Sequence, residues 1–214
     1  MLARIASLGI GYLFGIFQTA YFYGRLNGID IREHGSGNAG TTNALRVLGK
    51  KAGIIVFAGD FLKCFAAIFL TQFLFRNTAA DILPLIGLYG AAGCILGHNF
   101  PIQLNFRGGK GIACTAGLLA ALDVRIGVIA LITFIVVVAL TRYVSLGSII
   151  IVTEFTVFLV IFGQMGDYRM SPKSLIEMYL LAACLTVMAI YRHRANIARL
   201  LKGKENKIFD KSKK

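Results

Sequence analysis

The sequence predicts an all-α polytopic membrane protein with seven transmembrane helices. Hydrophobic residues make up 57% of its 214 residues, and the mean hydropathy of +0.71 is too high for a soluble domain with a water-facing surface. The apolar residues fall in long runs separated by short polar segments, as in membrane-spanning helices. The formal net charge of +13 comes from basic clusters between these runs. Such clusters are typical of cytoplasmic loops that face anionic membrane lipids, and they argue against a nucleic-acid partner.

Seven apolar runs are interpreted as helices, at residues 5–23, 53–75, 82–97, 112–122, 126–141, 144–163 and 175–191. The first run is longer than the apolar part of a usual signal peptide, so we expect an uncleaved span. The fourth run is the weakest, because its 11 residues cover only about half of a ~30 Å hydrocarbon core. It could begin as a re-entrant element. We expect a break before the fifth run, because Asp123 and Arg125 would otherwise lie inside one overlong helix.

The distribution of basic residues predicts the orientation of these spans. With seven spans, segments 24–52, 98–111, 142–143 and 192–214 share one side and carry 17 of the 23 Lys and Arg residues. By the positive-inside rule this side is cytoplasmic, which places the N-terminus outside and the C-terminus in the cytoplasm. We interpret residues 1–214 as one integral-membrane domain that ends in a disordered basic tail at residues 207–214.

The polar segment 30–46 has the composition of an anion-binding loop. Its glycines and small hydrogen-bonding residues are Gly35, Ser36, Gly37, Asn38, Gly40, Thr41, Thr42 and Asn43. Glycines allow backbone N–H groups to turn toward one point, and the small side chains add further donors. Arg32 and Arg46 supply charge; we expect Arg46 to contact the ligand and Arg32 to be structural. The alternative is a solvated turn between two helices.

The segment 97–111 ends in Gly108-Gly109-Lys110-Gly111, immediately before an apolar helix. Glycine backbone permits close approach of a ligand, the N-terminus of the following helix favours an anion, and Lys110 adds a point charge. The spacing differs from that of a nucleotide-binding P-loop, and a flexible re-entrant turn is the alternative interpretation. We expect His98, near the start of the segment, to cap or orient this loop.

The segment 193–205 directly follows the last apolar run. Within it, His193, Asn196 and Arg199 recur at helical spacing, close to one face of a helix. The alternative is a polybasic anchor for anionic lipid, but an asparagine between histidine and arginine is more than an anchor requires.

A few charged residues and four cysteines lie inside the predicted spans. Asp60 and Lys63 stand three residues apart, so we expect a structural ion pair, whereas Glu154 has no evident partner. The cysteines lie singly in apolar segments, with no Cys-x-x-Cys pair and no histidine at ligand spacing. Neither disulfides nor a zinc site is therefore expected.

Several established acyl-transfer chemistries lack their residues in this sequence. Acyl-CoA-dependent glycerolipid acyltransferases place an aspartate five residues after a histidine, but the three histidines are followed there by Ala39, Gln103 and Ala198. There is no serine nucleophile elbow, and the acidic residues are too scattered for a carboxylate metal site. Catalysis would have to rely on positioning and electrostatics, without metal or cofactor.

Three segments together resemble the PlsY-type glycerol-3-phosphate acyltransferases, bacterial inner-membrane enzymes that use acyl phosphate as donor. The matching motifs are Ile31-Arg32-x-x-Gly35-Ser36-Gly37-Asn38-x-Gly40-x-Thr42-Asn43-x-x-Arg46, Gly97-His98-x-Phe100-Pro101-x-x-Leu104-x-Phe106-x-Gly108-Gly109-Lys110-Gly111 and His193-Arg194-x-Asn196-Ile197-x-Arg199-Leu200-x-x-Gly203-x-Glu205. Shorter matches are Asp60-x-x-Lys63 and Val144-Ser145-Leu146-x-Ser148. Their order, spacing and membrane context agree over nearly the whole chain.

The resemblance implies a seven-span enzyme of the bacterial inner membrane, with an active site open to the cytoplasm and to lipid. The implied reaction is the first acylation of phospholipid synthesis, in which acyl phosphate acylates the sn-1 hydroxyl of glycerol 3-phosphate to give lysophosphatidic acid and phosphate. A soluble enzyme that forms acyl phosphate would hand over the donor.

The resemblance also implies roles for individual residues. The substrate-binding residues would be Ser36, Gly37, Asn38, Arg46, His98, Gly108, Gly109, Lys110, Gly111, His193, Arg194 and Asn196. Backbone groups from Gly108 to Gly111 would hold the phosphate of the donor, and Lys110 and Ser36 would stabilise the transition state. No side chain is assigned as general base, because a donor phosphate oxygen would take the hydroxyl proton.

The sequence is also compatible with two other functions. A transporter for an organic phosphate would use the same basic face, but the sequence has no detectable inverted repeats. A non-catalytic binder of anionic lipid would need the basic tail and not the glycines.

Overall fold

The computed structural model describes residues 1–208, and all regular secondary structure in this part of the chain is helical. The α-helices are α1 (Leu2–Gly15), α2 (Thr19–Leu26), α3 (Thr41–Phe75), α4 (Leu83–Asn99), α5 (Ile112–Leu122), α6 (Val124–Thr141), α7 (Val144–Gln164), α8 (Pro172–Arg192) and α9 (Arg194–Leu201). Short 3-10 helices lie at Ile31–Glu33, Ala80–Ile82 and Ile102–Leu104. The predicted tail at 207–214 falls outside the described residues except for its first two positions.

Six helical segments of the described chain are long and apolar enough to cross a membrane. They are Leu2–Leu26, Thr41–Phe75, Ala80–Leu104, Val124–Thr141, Val144–Gln164 and Pro172–Arg192. The weakest of the predicted runs is present as α5, but its 11 residues do not reach the length of a span. The all-α membrane architecture is therefore confirmed with six candidate spans, whereas the count of seven and the orientation stay predictions.

The first predicted run is two helices, because the chain breaks between α1 and α2. The amide of Gln18 at this break donates to the Gly15 carbonyl (3.2 Å) and to the His98 carbonyl (3.0 Å). Lys63 Nζ donates to the Phe17 carbonyl (2.7 Å) and also to that of Gly15 (3.3 Å). The carbonyls freed by the break are thus paired inside the protein, as a low-dielectric interior requires.

Helix α3 begins inside the segment that the sequence analysis assigned to a loop at 24–52. Its first residues, 41–48, form a short helical piece that is separated from the apolar part by Gly49. Gly49 has φ 88°, a left-handed conformation that interrupts the helix without a steric penalty for glycine. The anion-binding composition of 30–46 therefore lies partly at the N-terminus of a helix, which hydropathy alone does not reveal.

The core of the bundle lies around α4 and α5. Most side chains of α4 are buried, and helix α1 packs so closely on it that a Cβ atom at Gly11 would overlap the Gly90 carbonyl oxygen. Helix α5 packs equally closely on α3, because a Cβ atom at Gly117 would overlap the Phe61 carbonyl oxygen. A helix too short to span the bilayer is thus held inside the bundle by close packing along its length.

The predicted break before α6 is present, and Asp123 caps the new helix. Its Oδ1 accepts a hydrogen bond from the Arg125 backbone N–H (3.0 Å), and its Oδ2 pairs with the Arg125 guanidinium (2.6 Å). Farther along, Glu154 has a partner that sequence analysis did not find, since Thr133 of α6 donates to its Oε1 (3.0 Å).

Candidate active site

The polar segment 30–46, which forms the first loop of the site, is held together by an ion pair between Asp30 and Arg32. The Arg32 Nη2 atom lies 2.7 Å from Asp30 Oδ2, and these bonds from Arg32 hold the pKa of Asp30 at about 2. Arg32 also reaches segment 97–111, the second loop of the site, where its Nη1 donates to the Leu104 carbonyl (3.4 Å). The prediction that Arg32 is structural is supported by these contacts, because its donors are directed at the protein's own acceptors.

Asn43 shapes the tip of this loop from below. Its Oδ1 accepts from the Ser36 backbone N–H (2.8 Å), while its Nδ2 donates to the carbonyls of Ile31 (3.1 Å) and His34 (2.9 Å). The side chain of Asn43 is almost fully buried, whereas Ser36 and the adjacent Gly37 lie exposed at the tip of the loop. Asn43 was predicted only as an additional donor to a ligand, but its side chain instead binds the backbone of the loop at three points.

The end of the first loop presents unpaired backbone donors. Within residues 1–208, no acceptor binds the N–H groups of Asn38, Ala39, Thr41 and Thr42. The Thr41 Oγ1 atom is also buried without a partner in this part of the chain. These groups surround the N-terminus of α3, where the helix dipole favours an anion.

The second loop touches the first at Gly109. A Cβ atom at this position would overlap the ring of His98 on one side and would lie 2.8 Å from the Ala39 carbonyl oxygen on the other. Only glycine fits between these two groups. The glycine-rich ends of both loops therefore form one continuous surface, as expected if both belong to a single pocket.

The backbone of the second loop divides into a paired part and an unpaired part. The N–H of Gly108 donates to the Asn99 carbonyl (3.3 Å), and that of Gly109 donates to the His98 carbonyl (3.0 Å). By contrast, the five consecutive N–H groups from 110 to 114 have no acceptor among the described residues. Gly111, with φ 80°, turns the chain into α5 here, so the free donors gather at the helix N-terminus.

Lys110 points from this loop toward residues 193–205, the third segment of the site. Its Nζ donates to Asn196 Oδ1, and the Nδ2 of Asn196 in turn donates to Glu205 Oε1 (2.8 Å). Glu205 also pairs with Arg199 Nε (2.8 Å), so two of the three residues of the predicted stripe, Asn196 and Arg199, bind the same carboxylate. Burial lowers the pKa of Lys110 to about 8, and the charge of Arg199 adds to this effect. Glu205 belongs to the third motif, but its role as the anchor of Asn196 was missed.

His193 lies beside Lys110 as a buried, neutral hydrogen-bond acceptor. Its Nδ1 donates to the Ala189 carbonyl (2.8 Å), which leaves Nε2 as an acceptor. Burial lowers the pKa of His193 to about 4, so the ring is uncharged at neutral pH. Arg46 completes this group, because its guanidinium is close enough for its charge to lower the pKa of Lys110 as well.

Two of the predicted site residues lie away from the open side of the loops. Arg194 is exposed, stacks on the Tyr191 ring (4.4 Å to the centroid) and donates to the Tyr191 carbonyl (3.2 Å). His98 is buried behind Gly109, with its Nδ1 2.9 Å from Lys63 Nζ. This position agrees with the expectation that His98 orients the loop.

The intramembrane ion pair is present where the sequence predicts it. Lys63 Nζ lies 2.8 Å from Asp60 Oδ1, and Thr19 Oγ1 donates to the same oxygen (3.1 Å). Because Lys63 also contacts His98, the pair supports the second loop from inside the membrane domain. Its position makes it a structural element behind the site.

Comparisons with known proteins match nearly the whole chain. A family model described as "Glycerol-3-phosphate acyltransferase" matches residues 5–203. The chain is 41% identical over 203 residues to the glycerol-3-phosphate acyltransferase of Clostridioides difficile (strain 630), with 94% of each chain covered. It is 40% identical over 204 residues to the enzyme of the same description from Thermoanaerobacter sp. (strain X514), with 95% of this chain and 94% of the relative covered.

Two solved structures have the same fold. One is the glycerol 3-phosphate form of PlsY, an integral membrane glycerol 3-phosphate acyltransferase, with a TM-score of 0.82, 32% identity and coverage of 96% of this chain and 95% of the other. The lysophosphatidic acid form of PlsY gives a TM-score of 0.80 at 31% identity, with the same coverage. Similarity thus extends over nearly the whole chain in both sequence and fold.

Proposed function

The chain belongs to the glycerol-3-phosphate acyltransferase family, and from this premise we propose that it transfers an acyl group from acyl phosphate to the sn-1 hydroxyl of glycerol 3-phosphate. The products are lysophosphatidic acid and inorganic phosphate. The observation that carries the proposal is the row of five unpaired backbone N–H groups from 110 to 114, which begins at Lys110. Such a site suits a phosphoryl group whose negative charge grows as it leaves.

The phosphate of the acyl donor binds at the N-terminus of α5 in this proposal. Gly108, Gly109 and Gly111 leave the surface free of side chains, so that a phosphate can approach the backbone closely. Lys110 lies at the edge of this surface. Since it is half-buried, its charge acts through less water than an exposed lysine would, and its interaction with phosphate is correspondingly stronger.

Glycerol 3-phosphate binds between the first loop and the third segment. Arg46 and Lys110 carry the charges that pair with its phosphate, and Ser36, Gly37 and Asn38 contribute donors from the exposed loop tip. His193 and Asn196 face Lys110 from the third segment. The free Nε2 of His193 is an acceptor for a glycerol hydroxyl, so it can orient the nucleophile without being charged.

The chemistry requires little from the protein beyond positioning. The sn-1 hydroxyl oxygen attacks the acyl carbon, a new C–O ester bond forms, and the bond between the acyl carbon and the phosphate oxygen breaks. The hydroxyl proton moves to an oxygen of the departing phosphate. A histidine with a pKa of about 4 is a weak base at neutral pH, which is consistent with transfer of the proton to the substrate.

The proposed setting is the bacterial inner membrane, with the site open to the cytoplasm and to lipid. Six candidate spans and the basic residues around all three segments support it. Acyl phosphate would arrive from a soluble enzyme that forms it, and the product would remain in the bilayer as a single-chain lipid.

The test is formation of lysophosphatidic acid by the purified protein in detergent, with radiolabelled glycerol 3-phosphate and synthetic acyl phosphate. Stoichiometric release of inorganic phosphate is expected, with no product when acyl-CoA replaces acyl phosphate. Flux of label into proteoliposomes without product would instead indicate a transporter. Absence of both would leave a lipid-binding protein and would contradict the proposal.

A further inference from the structure

Arg192, the last residue of α8, binds the Gly108–Gly109 backbone of the second loop. Its Nη2 donates to the carbonyls of Gly108 (3.1 Å) and Gly109 (2.6 Å). The guanidinium carbon lies 5.2 Å from the centroid of the Phe100 ring, which restricts the side chain from another side. In the sequence, Arg192 is only one more basic residue after an apolar span, and no role is predicted for it.

The two bonds determine where the neighbouring N–H groups point. The Gly109 carbonyl and the Lys110 N–H belong to one planar trans peptide, in which the two groups point in nearly opposite directions. When Arg192 binds the carbonyl, the N–H of Lys110 is therefore directed away from α8. It is the first of the unpaired donors at the N-terminus of α5.

The preceding peptide is held at both ends. Arg192 binds the carbonyl of Gly108, and the His98 carbonyl accepts the N–H of Gly109 from the same peptide plane. Two consecutive glycines would otherwise rotate freely, because they have no Cβ atom to restrict the backbone. A loop that must be free of side chains for a ligand therefore obtains its rigidity from a residue outside the loop.

We propose that Arg192 is a positioning residue, which aligns the Gly108–Gly109 backbone so that the donors from 110 onward converge on the phosphate of the acyl donor. The proposal rests on the acyl-phosphate function proposed above. Arg192 acts through the loop carbonyls and does not touch the substrate. Its second effect is to occupy carbonyl oxygens that would otherwise present partial negative charge to an anion.

The first experiment measures amide hydrogen exchange by mass spectrometry and does not depend on turnover. In Arg192→Ala, exchange at Gly108 and Gly109 is expected to accelerate at least tenfold, while exchange in the apolar part of α3 stays as in the wild type. Arg192→Lys should recover part of the protection. Arg76→Ala is the matched control, because Arg76 also binds a carbonyl, that of Phe73, and lies over the Phe73 ring.

The second experiment is kinetic. Loss of two charge-assisted bonds is expected to reduce kcat by about 30-fold and to raise the KM for acyl phosphate, with the KM for glycerol 3-phosphate nearly unchanged. Added guanidinium at a non-denaturing concentration should restore part of the activity of Arg192→Ala, because it can bind the vacated carbonyls. It should not restore activity to Arg76→Ala, which has no loss to repair.

The outcomes separate this proposal from the proposed function. If the wild type makes no lysophosphatidic acid from acyl phosphate, the function is wrong, and faster exchange at Gly108 and Gly109 alone would still support the positioning role. Unchanged exchange at these glycines would overturn that role. If both Arg192→Lys and Arg192→Ala lost protection from hydrogen exchange throughout the chain, with no rescue of activity by guanidinium, Arg192 would only anchor α8 and the positioning role would be wrong.

Discussion

Lys63 and Lys110 are both removed from bulk water, but the regions around them differ in how completely their polar groups are paired. Lys63 is bound to Asp60, His98 and the carbonyls at the α1–α2 break, so its donors are used within the protein. Lys110 binds Asn196 and is the first of five consecutive residues whose backbone N–H groups have no acceptor among the described residues. The ammonium group of Lys63 is thus bound by protein acceptors, whereas the N–H groups that begin at Lys110 are free to bind an anion.

The difference shows that burial and charge by themselves do not identify a functional site. Both lysines stand in the motifs that resemble the family, and both are charged residues in an apolar chain. What separates them is the set of donors left over after the protein has paired its own groups. This contrast can be tested by variants that should affect stability in one region and turnover in the other.

The largest effect is expected from Lys63→Met. It leaves the carboxylate of Asp60 buried without its main counter-charge, which should reduce the free energy of unfolding by about 3–5 kcal/mol. Thermal unfolding of the purified protein, monitored at several detergent concentrations, measures this loss. The double variant Asp60→Asn, Lys63→Met removes both charges and should recover much of it. Equal destabilisation in the single and double variants would contradict the ion-pair interpretation.

The next largest effect is expected from Lys110→Ala, which should lower kcat and leave stability almost unchanged. Removal of one positioned cation from the developing phosphate charge should lower kcat by about 10²–10³-fold. The unfolding temperature should hardly change, because only the bond to Asn196 is lost within the described protein. The acyl-phosphate assay measures the effect, with exposed Lys202→Ala as the matched control. Full turnover in Lys110→Ala would show that the open donors do not serve this reaction.

The smallest effect is expected in the pH dependence. Since the pKa of Lys110 is about 8, its charge is present below this pH and is lost above it, so kcat/KM should decline as the pH rises through 8. The Glu205 charge raises the pKa of Lys110, and Glu205→Gln should therefore move the decline to lower pH. An unchanged midpoint in Glu205→Gln would indicate that Lys110 does not control this titration.

Much of this arrangement could be predicted from local sequence. The apolar runs, the break at Asp123, the Asp60 and Lys63 pair and the glycines of both loops follow from composition and spacing along the chain. The role of Arg192 could not be predicted in this way, because it depends on two carbonyls more than eighty residues away. The same holds for Asn43 and Glu205, whose partners are defined only once the loops are folded.

The membrane class, the approximate spans, the family and the three polar segments can be read from the chain alone, because hydropathy, charge and motif spacing are properties of neighbouring residues. The packing of α5 inside the bundle and the contact of Gly109 with both loops are visible only in the folded protein. The same is true of the donors that remain unpaired. The physical reason is that hydrogen bonding is a competition between all groups brought together in space, and the free donors at 110–114 are those for which the folded chain supplies no acceptor within residues 1–208.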